Sequence, residues 1–305
     1  MSALAALRAA PGLESYLERL ELRLEQAVGE RRGLVRAAAS ETLGAGGKRL
    51  RPVLVFLATP AEQRGDERTL AGGAAVELVH MATLVHDDLL DAADLRRGRP
   101  TVRSAHGELA AKAVGDFLFA RAFAQLAATG DADAVSVIAR AALALARGEA
   151  LQRRQTHRPE TTVDAYLARC SLKTGKLFEA ACVLGGRAEL ARFGLALGIA
   201  FQIADDILDC TSDETTTGKE GGVDLRDGTP TLPLILASRE DPVVRCALAG
   251  EEVPGALARV AATGALERSR AVALRFADQA RAALDGAADA DSLEALTHAV
   301  VERES

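Results

Sequence analysis

Two apolar segments, each interrupted by aspartates at helical spacing, constrain the fold of this chain more than any other feature. They are VELVHMATLVHDDLLD, with Asp87, Asp88 and Asp91, and FQIADDILD, with Asp205, Asp206 and Asp209. At ~100° per residue, residues four positions apart share one helix face, so each segment places two carboxylates one turn apart on an apolar rod. Unpaired buried carboxylates are very costly, so the sequence predicts a cation, water or basic partners at each face.

The composition favours helices along the rest of the chain. Of the 305 residues, 49% are hydrophobic but only 3% are aromatic, and there is no Trp. Ala and Leu lead helix propensity, whereas sheets prefer β-branched and aromatic residues. Because Ala, Leu and Val must fill the interior and strand alternation is nowhere sustained, we predict an all-α fold.

The chain is predicted to form a single domain over residues 1–305, because no low-complexity linker or repeat divides it. The stretch from Thr211 to Pro230 is long for a loop in a compact domain, which predicts a lid. Helical periodicity predicts helices at 12–30, 31–43, 52–60, 66–91, 106–128, 132–154, 161–184, 188–210, 230–238 and 266–302, the last broken near Gly286.

Charge and cysteine content exclude several classes of protein. The net charge of −6 argues against nonspecific nucleic-acid binding, for which a basic surface is expected. The four cysteines lie too far apart for a CxxC site, so we expect buried, reduced thiols. The first residues reach charge and proline too soon for a signal peptide, and no run approaches ~20 apolar residues. We therefore expect a cytoplasmic protein.

Each aspartate cluster offers only oxygen ligands to a metal. Magnesium suits such a site, because it takes one or two carboxylates, keeps waters and accepts substrate phosphate oxygens. One DDxxD motif is equally typical of a solvated helix end. Two copies, both embedded in apolar helix, favour Mg²⁺ binding.

Basic turns accompany the aspartates. GGKRLRP follows a glycine break, and DLRRGRPT begins at Asp94, three residues after Asp91. Adjacent arginines beside aspartates make sense if both grip the same diphosphate, although each turn alone is also typical of a solvated surface. The cations in these turns and near later helix breaks are Lys48, Arg49, Arg51, Arg96, Arg97, Arg99, Lys173, Lys176 and Lys219.

The order and spacing of the motifs resemble the trans-polyprenyl diphosphate synthase family, closest to its long-chain type. In chain order the motifs are GGKRLRP, ELVHMATLVHDDLLDAADLRRGRPT, VGDFLFARA, RGEALQ, LKTGKLF, FQIADDILD and GKEGGVDLRDGTPTLPLILA. The resemblance implies a helical bundle of the isoprenoid synthase type around a deep central cavity. It also implies a homodimeric prenyltransferase that joins an allylic diphosphate to isopentenyl diphosphate.

The same resemblance implies a role for each site residue. Magnesium ions that bridge the allylic diphosphate are expected on Asp87, Asp91, Asp205 and, less firmly matched, Asp209. The allylic diphosphate is expected to contact Arg96, Lys173 and Lys219. Isopentenyl diphosphate is expected to contact Lys48, Arg51, His80 and Arg97. The dipoles expected to support the allylic cation are those of Thr174, Gln202 and the Lys173 carbonyl.

Product length and one departure from the family pattern also follow from the resemblance. Residues four and five positions before the first aspartate are expected to form the floor of the product tunnel, and the small Thr83 and Ala82 there predict products longer than geranylgeranyl diphosphate. A deeper floor is the alternative, set by Phe117, Phe119 or Phe123. In the GTPT segment, Thr229 stands where the family often has lysine, which predicts weaker diphosphate affinity.

Four alternatives remain beside this interpretation. A short-chain farnesyl or geranylgeranyl synthase tends to carry Phe or Tyr at the positions of Ala82 and Thr83. A class I terpene cyclase usually lacks the second DDxxD and GGKRLRP, and a noncatalytic partner subunit typically loses the aspartates. A di-iron helical bundle needs two ExxH pairs, and only Glu77 with His80 forms one.

Overall fold

The computed structural model describes residues 10–29, 33–211, 222–286 and 290–301, and helix dominates all four ranges, which confirms the predicted all-α class. The helices are α1 (Leu13–Gly29), α2 (Leu34–Gly44), α3 (Leu50–Leu57), α4 (Glu67–Leu90), α5 (Val102–His106), α6 (Glu108–Ala127), α7 (Ala132–Gln155), α8 (Val163–Cys170), α9 (Lys176–Leu184), α10 (Ala191–Thr211), α11 (Val223–Arg226), α12 (Leu232–Ser238), α13 (Pro242–Leu248), α14 (Ala256–Ala262), α15 (Ala265–Ala282) and α16 (Ala290–Val301). None of these helices is long and apolar enough to span a membrane.

Irregular helical turns join several of these helices. Single 3₁₀ turns precede α4 at Ala61–Gln63 and α10 at Ala188–Leu190. A π-helical turn, Ser171–Gly175, joins α8 to α9. The helix predicted over 161–184 is therefore present from Val163 to Leu184, with a π turn at its centre that the sequence did not predict.

The predicted turn after the first aspartate cluster is a small β-hairpin. Strand β1 (Leu95–Arg96) pairs antiparallel with β2 (Arg99–Pro100), and Arg96 lies opposite Arg99. The two turn residues, Arg97 and Gly98, have φ angles of 53° and 71°. Positive φ at both positions is the geometry of the tightest hairpin turns, so the hairpin fixes the backbone that carries Arg96, Arg97 and Arg99.

The long predicted helices agree with the structure to within a few residues, whereas short ones were missed. Helix α3 begins at Leu50 rather than at Pro52, because proline is tolerated within a first helical turn. The predicted break near Gly286 is present, since α15 ends at Ala282. The helices that sequence analysis did not predict are α5, α11, α13 and α14.

Contacts divide the described chain into two compact units. The first contains 10–142 and 180–191, and the second contains 143–179 and 192–301. In the first unit, α4 is apolar on nearly every side and is packed closely against α1. A Cβ on Gly73 would lie 1.9 Å from the Tyr16 hydroxyl oxygen, so only glycine permits this approach. The first unit therefore holds the first aspartate cluster on a firmly packed helix.

The second unit buries the helix that carries the second cluster. Tyr166 and Cys170 of α8 pack with Ile199 and Ile203 of α10 in one hydrophobic cluster, which Leu232 of α12 also joins. Large aromatic side chains are few in the core, and small aliphatic ones fill most of it. Composition thus predicted correctly how the interior is filled.

Candidate active site

The first aspartate cluster lies at the C-terminal end of α4. Asp87 is half-buried and Asp91, the residue that ends the helix, is exposed. Asp88 is only 5% exposed, and its Oδ1 accepts from Arg96 Nε at 2.8 Å and lies 2.7 Å from Arg96 Nη2. Burial raises the pKa of Asp88 although Arg96 opposes the shift. The central aspartate is therefore part of an internal ion pair.

Four guanidinium groups act on His80, about two helical turns before Asp87. Burial lowers the pKa of His80 well below its ordinary value, and the positive charges of Arg51, Arg96, Arg97 and Arg49 lower it further. The imidazole is consequently neutral at neutral pH and can donate one hydrogen bond beside several cations. This concentration of cations suits a diphosphate.

The GGKRLRP loop turns its basic side chains in different directions. Arg49, with a left-handed φ of 48°, points inward and binds Glu21 at 2.6 Å and the buried Glu77 at 2.8 Å. Lys48 is exposed. The hairpin contacts the same loop, since Arg97 Nη1 donates to the Gly46 carbonyl. The structure thus joins two basic motifs that are about fifty residues apart in sequence.

The second aspartate cluster lies near the C-terminal end of α10. Asp205 is exposed, whereas Asp206 is 5% exposed and has a hydrogen bond at each oxygen. Tyr166 Oη donates to Asp206 Oδ2 at 2.6 Å, and Gln202 Nε2 donates to Oδ1 at 2.8 Å. Burial raises the pKa of Asp206 to about 6, although both donors lower it.

The third aspartate of this cluster holds the start of α11. Asp209 Oδ1 accepts from the Val223 N–H at 3.2 Å, and Oδ2 accepts from the Asp224 N–H at 3.0 Å. Burial raises the pKa of Asp209 and raises that of Asp224 well above its ordinary value, with further upward contributions from neighbouring carboxylates. Several carboxylates therefore share one poorly solvated region, which favours a bound cation.

The π-helical turn carries the two predicted residues of the LKTGKLF motif. Lys173 Nζ donates to Glu149 Oε2 at 2.6 Å and to Gln152 Oε1 at 3.2 Å. Burial acts to raise the pKa of Glu149, but Lys173 and Arg153 outweigh it and the pKa is lowered. Thr174 is buried and its hydroxyl donates to Gln202 Oε1 at 2.6 Å.

Glycines allow this turn to approach its neighbours. A Cβ on Gly198 of α10 would lie 2.7 Å from the Gly175 Cα, and one on Gly148 of α7 would lie 2.6 Å from the Lys173 nitrogen. A π turn also shifts the backbone hydrogen bonds by one residue, and such turns are frequent at functional sites. The close approach thus places Lys173 and Thr174 beside α7 and α10.

Both clusters fit magnesium by the chemistry of their donors. Every candidate ligand is a carboxylate oxygen, which hard cations prefer, whereas burial raises the pKa values of the neighbouring Cys170 and Cys210 thiols and so keeps them protonated. The outer aspartates Asp87, Asp91 and Asp205 are more exposed than the central ones.

The structure brings most predicted residues together within the two units. The first unit contains Asp87 and Asp91 together with Lys48, Arg51, His80, Arg96 and Arg97. The second unit contains Asp205 and Asp209 together with Lys173, Thr174 and Gln202. Lys219 and residues 212–221 of the predicted lid lie outside the described residues. Residues 222–230 of that stretch include α11.

The residues expected to set product length differ in burial. Ala82 is fully buried on α4, whereas Thr83 is half-buried and its hydroxyl donates to the His80 carbonyl at 2.7 Å. The alternative floor residues Phe117, Phe119 and Phe123 are half-buried on α6. Thr229 is 9% exposed, and its N–H donates to the Asp224 carbonyl at 2.8 Å.

Sequence reasoning missed the side chains that support the predicted ones. Tyr166 is one of two tyrosines in a chain poor in aromatic residues, and a buried tyrosine hydroxyl needs a partner, which was a usable signal. Glu149 lies in the RGEALQ motif and Asp224 in GGVDLRDG, so both were visible as charges in otherwise structured segments. Nothing in the sequence indicated that they contact Lys173 and Asp209.

Known proteins match this chain along most of its length. The family model described as polyprenyl synthetase matches residues 32–250. Heptaprenyl diphosphate synthase component 2 of Geobacillus stearothermophilus is 40% identical over 290 residues, 90% of each chain. Octaprenyl diphosphate synthase of Escherichia coli K12 is 36% identical over 282 residues, 85% of this chain and 87% of that one.

A solved structure agrees with the fold. The polyprenyl synthase from Caulobacter crescentus CB15, complexed with calcium and isoprenyl diphosphate, superimposes with a TM-score of 0.88 at 35% identity and covers 96% of each chain.

Proposed function

Because this chain belongs to the polyprenyl synthetase family and is a prenyltransferase, we propose that its two aspartate clusters and their basic neighbours carry out head-to-tail condensation. The substrates are an allylic diphosphate and isopentenyl diphosphate, and the products are a longer all-trans polyprenyl diphosphate and pyrophosphate. One observation carries the proposal: in each cluster the central aspartate is buried and hydrogen-bonded, while a neighbouring aspartate is exposed.

In this proposal Asp87, Asp91 and Asp205, with Asp209, hold Mg²⁺. When bound, Mg²⁺ would neutralise negative charge on the departing pyrophosphate. Its place is supported by the carboxylate-only donor sets and by the calcium in the Caulobacter crescentus complex. Both Asp209 oxygens already accept backbone N–H groups of α11, which leaves them fewer lone pairs for a metal, so we assign Asp209 the weakest share of the metal site.

The cations bind and orient the two diphosphates. Arg96, Lys173 and Lys219 are assigned to the allylic diphosphate, and their positive charge stabilises the negative charge that grows as the carbon–oxygen bond breaks. Lys48, Arg51, His80 and Arg97 are assigned to isopentenyl diphosphate. The neutral His80 can donate to a phosphate oxygen without titrating in the working pH range.

The allylic cation left by ionisation needs dipoles rather than nucleophiles beside it. Thr174, Gln202 and the Lys173 carbonyl are assigned this role, supported by the hydrogen bond between Thr174 and Gln202. The isopentenyl double bond attacks the cation, and loss of a proton to the departing pyrophosphate restores a double bond. A lid at Thr211 to Pro230 would exclude water from the cation.

We assign products longer than geranylgeranyl diphosphate. The support is the pair Ala82 and Thr83, both small, and the names of the similar heptaprenyl and octaprenyl synthases. The single domain, the central cavity and a cytoplasmic location remain parts of the proposal. The cytoplasmic assignment is supported by four cysteines that are thiols and not disulfides.

An assay of the purified chain with labelled isopentenyl diphosphate and farnesyl diphosphate tests the reaction. Activity is expected with Mg²⁺ and is expected to disappear with EDTA. Mass spectrometry of the dephosphorylated products should give chains of more than four isoprene units. Products of three or four units would refute the long-chain assignment, and hydrocarbon products would favour a terpene cyclase.

Assembly has two candidates, which the same preparation distinguishes. We propose a homodimer, as the family resemblance implies. The similar component 2 of Geobacillus stearothermophilus favours a second candidate, a complex with a different chain, because its name implies another component. A molecular mass near twice 31.9 kDa in analytical ultracentrifugation, together with full activity, supports the homodimer. A monomer that is inactive alone supports the second candidate.

A further inference from the structure

A hydrogen-bonded chain of four side chains runs through the second unit. The Tyr166 hydroxyl donates to Asp206 Oδ2 at 2.6 Å, and Gln202 Nε2 donates to Asp206 Oδ1 at 2.8 Å. At its other end, the Thr174 hydroxyl donates to Gln202 Oε1 at 2.6 Å. Tyr166 is fully buried, Asp206 and Thr174 are each 5% exposed, and Gln202 is half-buried, so most of the chain lies out of water.

The chemistry of Asp206 gives this chain one direction. An ionised carboxylate only accepts hydrogen bonds, so both side chains that contact its oxygens must donate. Tyr166 satisfies one oxygen with its only hydrogen. Gln202 can satisfy the other only with its NH₂ group, which turns its carbonyl oxygen toward Thr174. A reversed amide would place two acceptors face to face at Asp206 in a buried region, where unsatisfied acceptors are costly.

Helix geometry adds to the constraint. Gln202 and Asp206 are four residues apart on α10 and share one face of that helix, whereas Tyr166 reaches them from α8. Phe178 lies 5.3 Å, ring to ring, from Phe201, the residue before Gln202. The segment that carries the amide is therefore packed by aromatic rings, and Asp206 selects which end of the amide faces Thr174.

We infer that Tyr166 and Asp206 are positioning residues that hold the Gln202 carbonyl oxygen and the Thr174 hydroxyl oxygen toward the developing allylic cation. The inference rests on the proposed roles of Gln202 and Thr174. It assigns the central aspartate of the second DDxxD to the orientation of a dipole, and not to metal binding. When the Gln202 carbonyl oxygen points away from Asp206, on the Thr174 side, the negative end of the amide dipole stabilises positive charge. The reversed amide would oppose that charge.

The test is the maximal rate of the first condensation in a single turnover, measured with farnesyl and isopentenyl diphosphates. Asp206→Asn keeps the size of the side chain but can donate from Nδ2 to Gln202, which favours the reversed amide. We expect the maximal rate to fall by about 10²-fold, with substrate concentrations for half-maximal rate unchanged within about threefold. Tyr166→Phe keeps Asp206 as an acceptor but removes the hydrogen bond that holds Asp206 in place. The maximal rate is then expected to fall by about tenfold.

Tyr16→Phe is the matched control. Tyr16 is also almost fully buried, and its hydroxyl donates one hydrogen bond, to the Pro52 carbonyl at 3.2 Å in the first unit. Both tyrosine variants lose one buried hydrogen bond, so both should lose comparable thermal stability. Only Tyr166→Phe should lose rate. Equal rate losses in the two variants would mean that Tyr166 acts through stability alone, and would overturn the inference.

Two further variants separate this inference from the proposed function. Gln202→Leu should lower the maximal rate at least as much as Asp206→Asn; full activity would remove Gln202 from the mechanism and the inference with it. Asp205→Asn should raise the Mg²⁺ concentration for half-maximal rate, whereas Asp206→Asn should leave it unchanged. A rise with Asp206→Asn equal to that with Asp205→Asn would make Asp206 a metal ligand and overturn the positioning role alone.

Folding of each variant is checked by circular dichroism before the rates are compared. If Asp206→Asn does not fold, Tyr166→Phe against Tyr16→Phe decides the question. A rate for Tyr166→Phe equal to that of the unsubstituted enzyme, with Gln202→Leu inactive, contradicts the inference and leaves the proposed function intact.

Discussion

The two aspartate clusters share one sequence pattern but satisfy their buried central carboxylate differently. In the first cluster a cation does so, because Arg96 binds Asp88. In the second cluster two neutral donors do so, because Tyr166 and Gln202 bind Asp206. The first buried aspartate is therefore hydrogen-bonded to a cation and the second to two dipoles, while the positive charge of Arg169 also acts to lower the pKa of Asp206.

The surroundings of the clusters differ in the same sense. Near the first, the guanidinium groups of Arg51, Arg96 and Arg97 depress the pKa of His80. Near the second, Asp209 and Asp224 add carboxylates whose pKa values are raised by burial. The first region is suited to anions as well as metal, whereas the second has an excess of negative charge that a cation would relieve. The DDxxD motif alone therefore does not determine which charges surround its aspartates.

The largest effect is expected from removing an outer aspartate of either cluster. Asp87→Ala and Asp205→Ala should each lower turnover by about 10³-fold, because each removes a proposed magnesium ligand. Stability without Mg²⁺ should hold or rise, since like charges are separated. Steady-state assays and thermal unfolding measure both quantities. Asp133→Ala, an exposed aspartate of α7, is the control, and unchanged activity in either cluster variant would refute the metal assignment.

A difference in stability should distinguish the two central aspartates. Arg96→Met leaves the Asp88 charge buried without its cation and should cost about 2–3 kcal/mol, a discounted value because Arg96 is partly exposed. Tyr166→Phe removes one neutral donor and should cost about 1–2 kcal/mol. Urea unfolding measures both. Adding Asp88→Asn to Arg96→Met should recover stability, and no recovery would contradict the ion-pair account.

The stability of the metal-free protein should depend on pH through Asp206. Its pKa is raised to about 6 in the folded protein, above the ordinary value of 3.8. The folded state therefore binds this proton more tightly than the unfolded state. Stability from this group is fully present below pH ~4 and is lost as the pH rises through about 6.

Lowering the pH from 7.5 to 5 should consequently raise the free energy of unfolding by on the order of 1–3 kcal/mol. Asp206→Asn should remove part of this dependence, because burial also raises the pKa values of Asp209 and Asp224. Asp88→Asn should remove less, because Arg96 opposes the upward pKa shift of Asp88. Chemical denaturation at several pH values checks the prediction, and an identical pH profile in Asp206→Asn would contradict it.

The smallest effect on rate is expected one turn before the first cluster. Ala82→Phe should shorten the product with little change in the first condensation. Because Ala82 is fully buried, the ring must also displace neighbours, at a cost of about 1–3 kcal/mol. Thr83→Val is the volume-matched control: it removes the hydroxyl that donates to the His80 carbonyl but keeps the size of the proposed floor residue, so product length should not change. Mass spectrometry reports product length, and an unchanged distribution in Ala82→Phe would favour a floor on α6.

The parts of the structure that follow from local sequence could be predicted. Helical periodicity was enough for α4 and α10, because their apolar residues continue for six turns or nearly so. The α13 helix has a readable start, in which Asp241 accepts from the Val243 N–H ahead of Pro242 at the first position. It was missed because seven residues give too few turns for a clear period.

Features that depend on contacts distant in sequence could not be predicted. The π turn at Ser171–Gly175 depends on close packing against Gly148 and Gly198 from other helices. Spacing placed Asp87, Asp88 and Asp91 on α4, but not the choice of Asp88 as the partner of Arg96. Likewise, Tyr166 and Asp206 are 40 residues apart in sequence, so nothing in the sequence indicated their direct hydrogen bond.

The central claim is that the outer aspartates of both clusters bind metal and the central ones do not. Crystals grown with Mn²⁺ and a non-ionisable farnesyl thiodiphosphate analogue test it by anomalous scattering. We predict Mn²⁺ peaks within about 2.5 Å of carboxylate oxygens of Asp87 and Asp91 and of Asp205. Peaks on Asp88 or Asp206, or no peak at either cluster, would contradict the account.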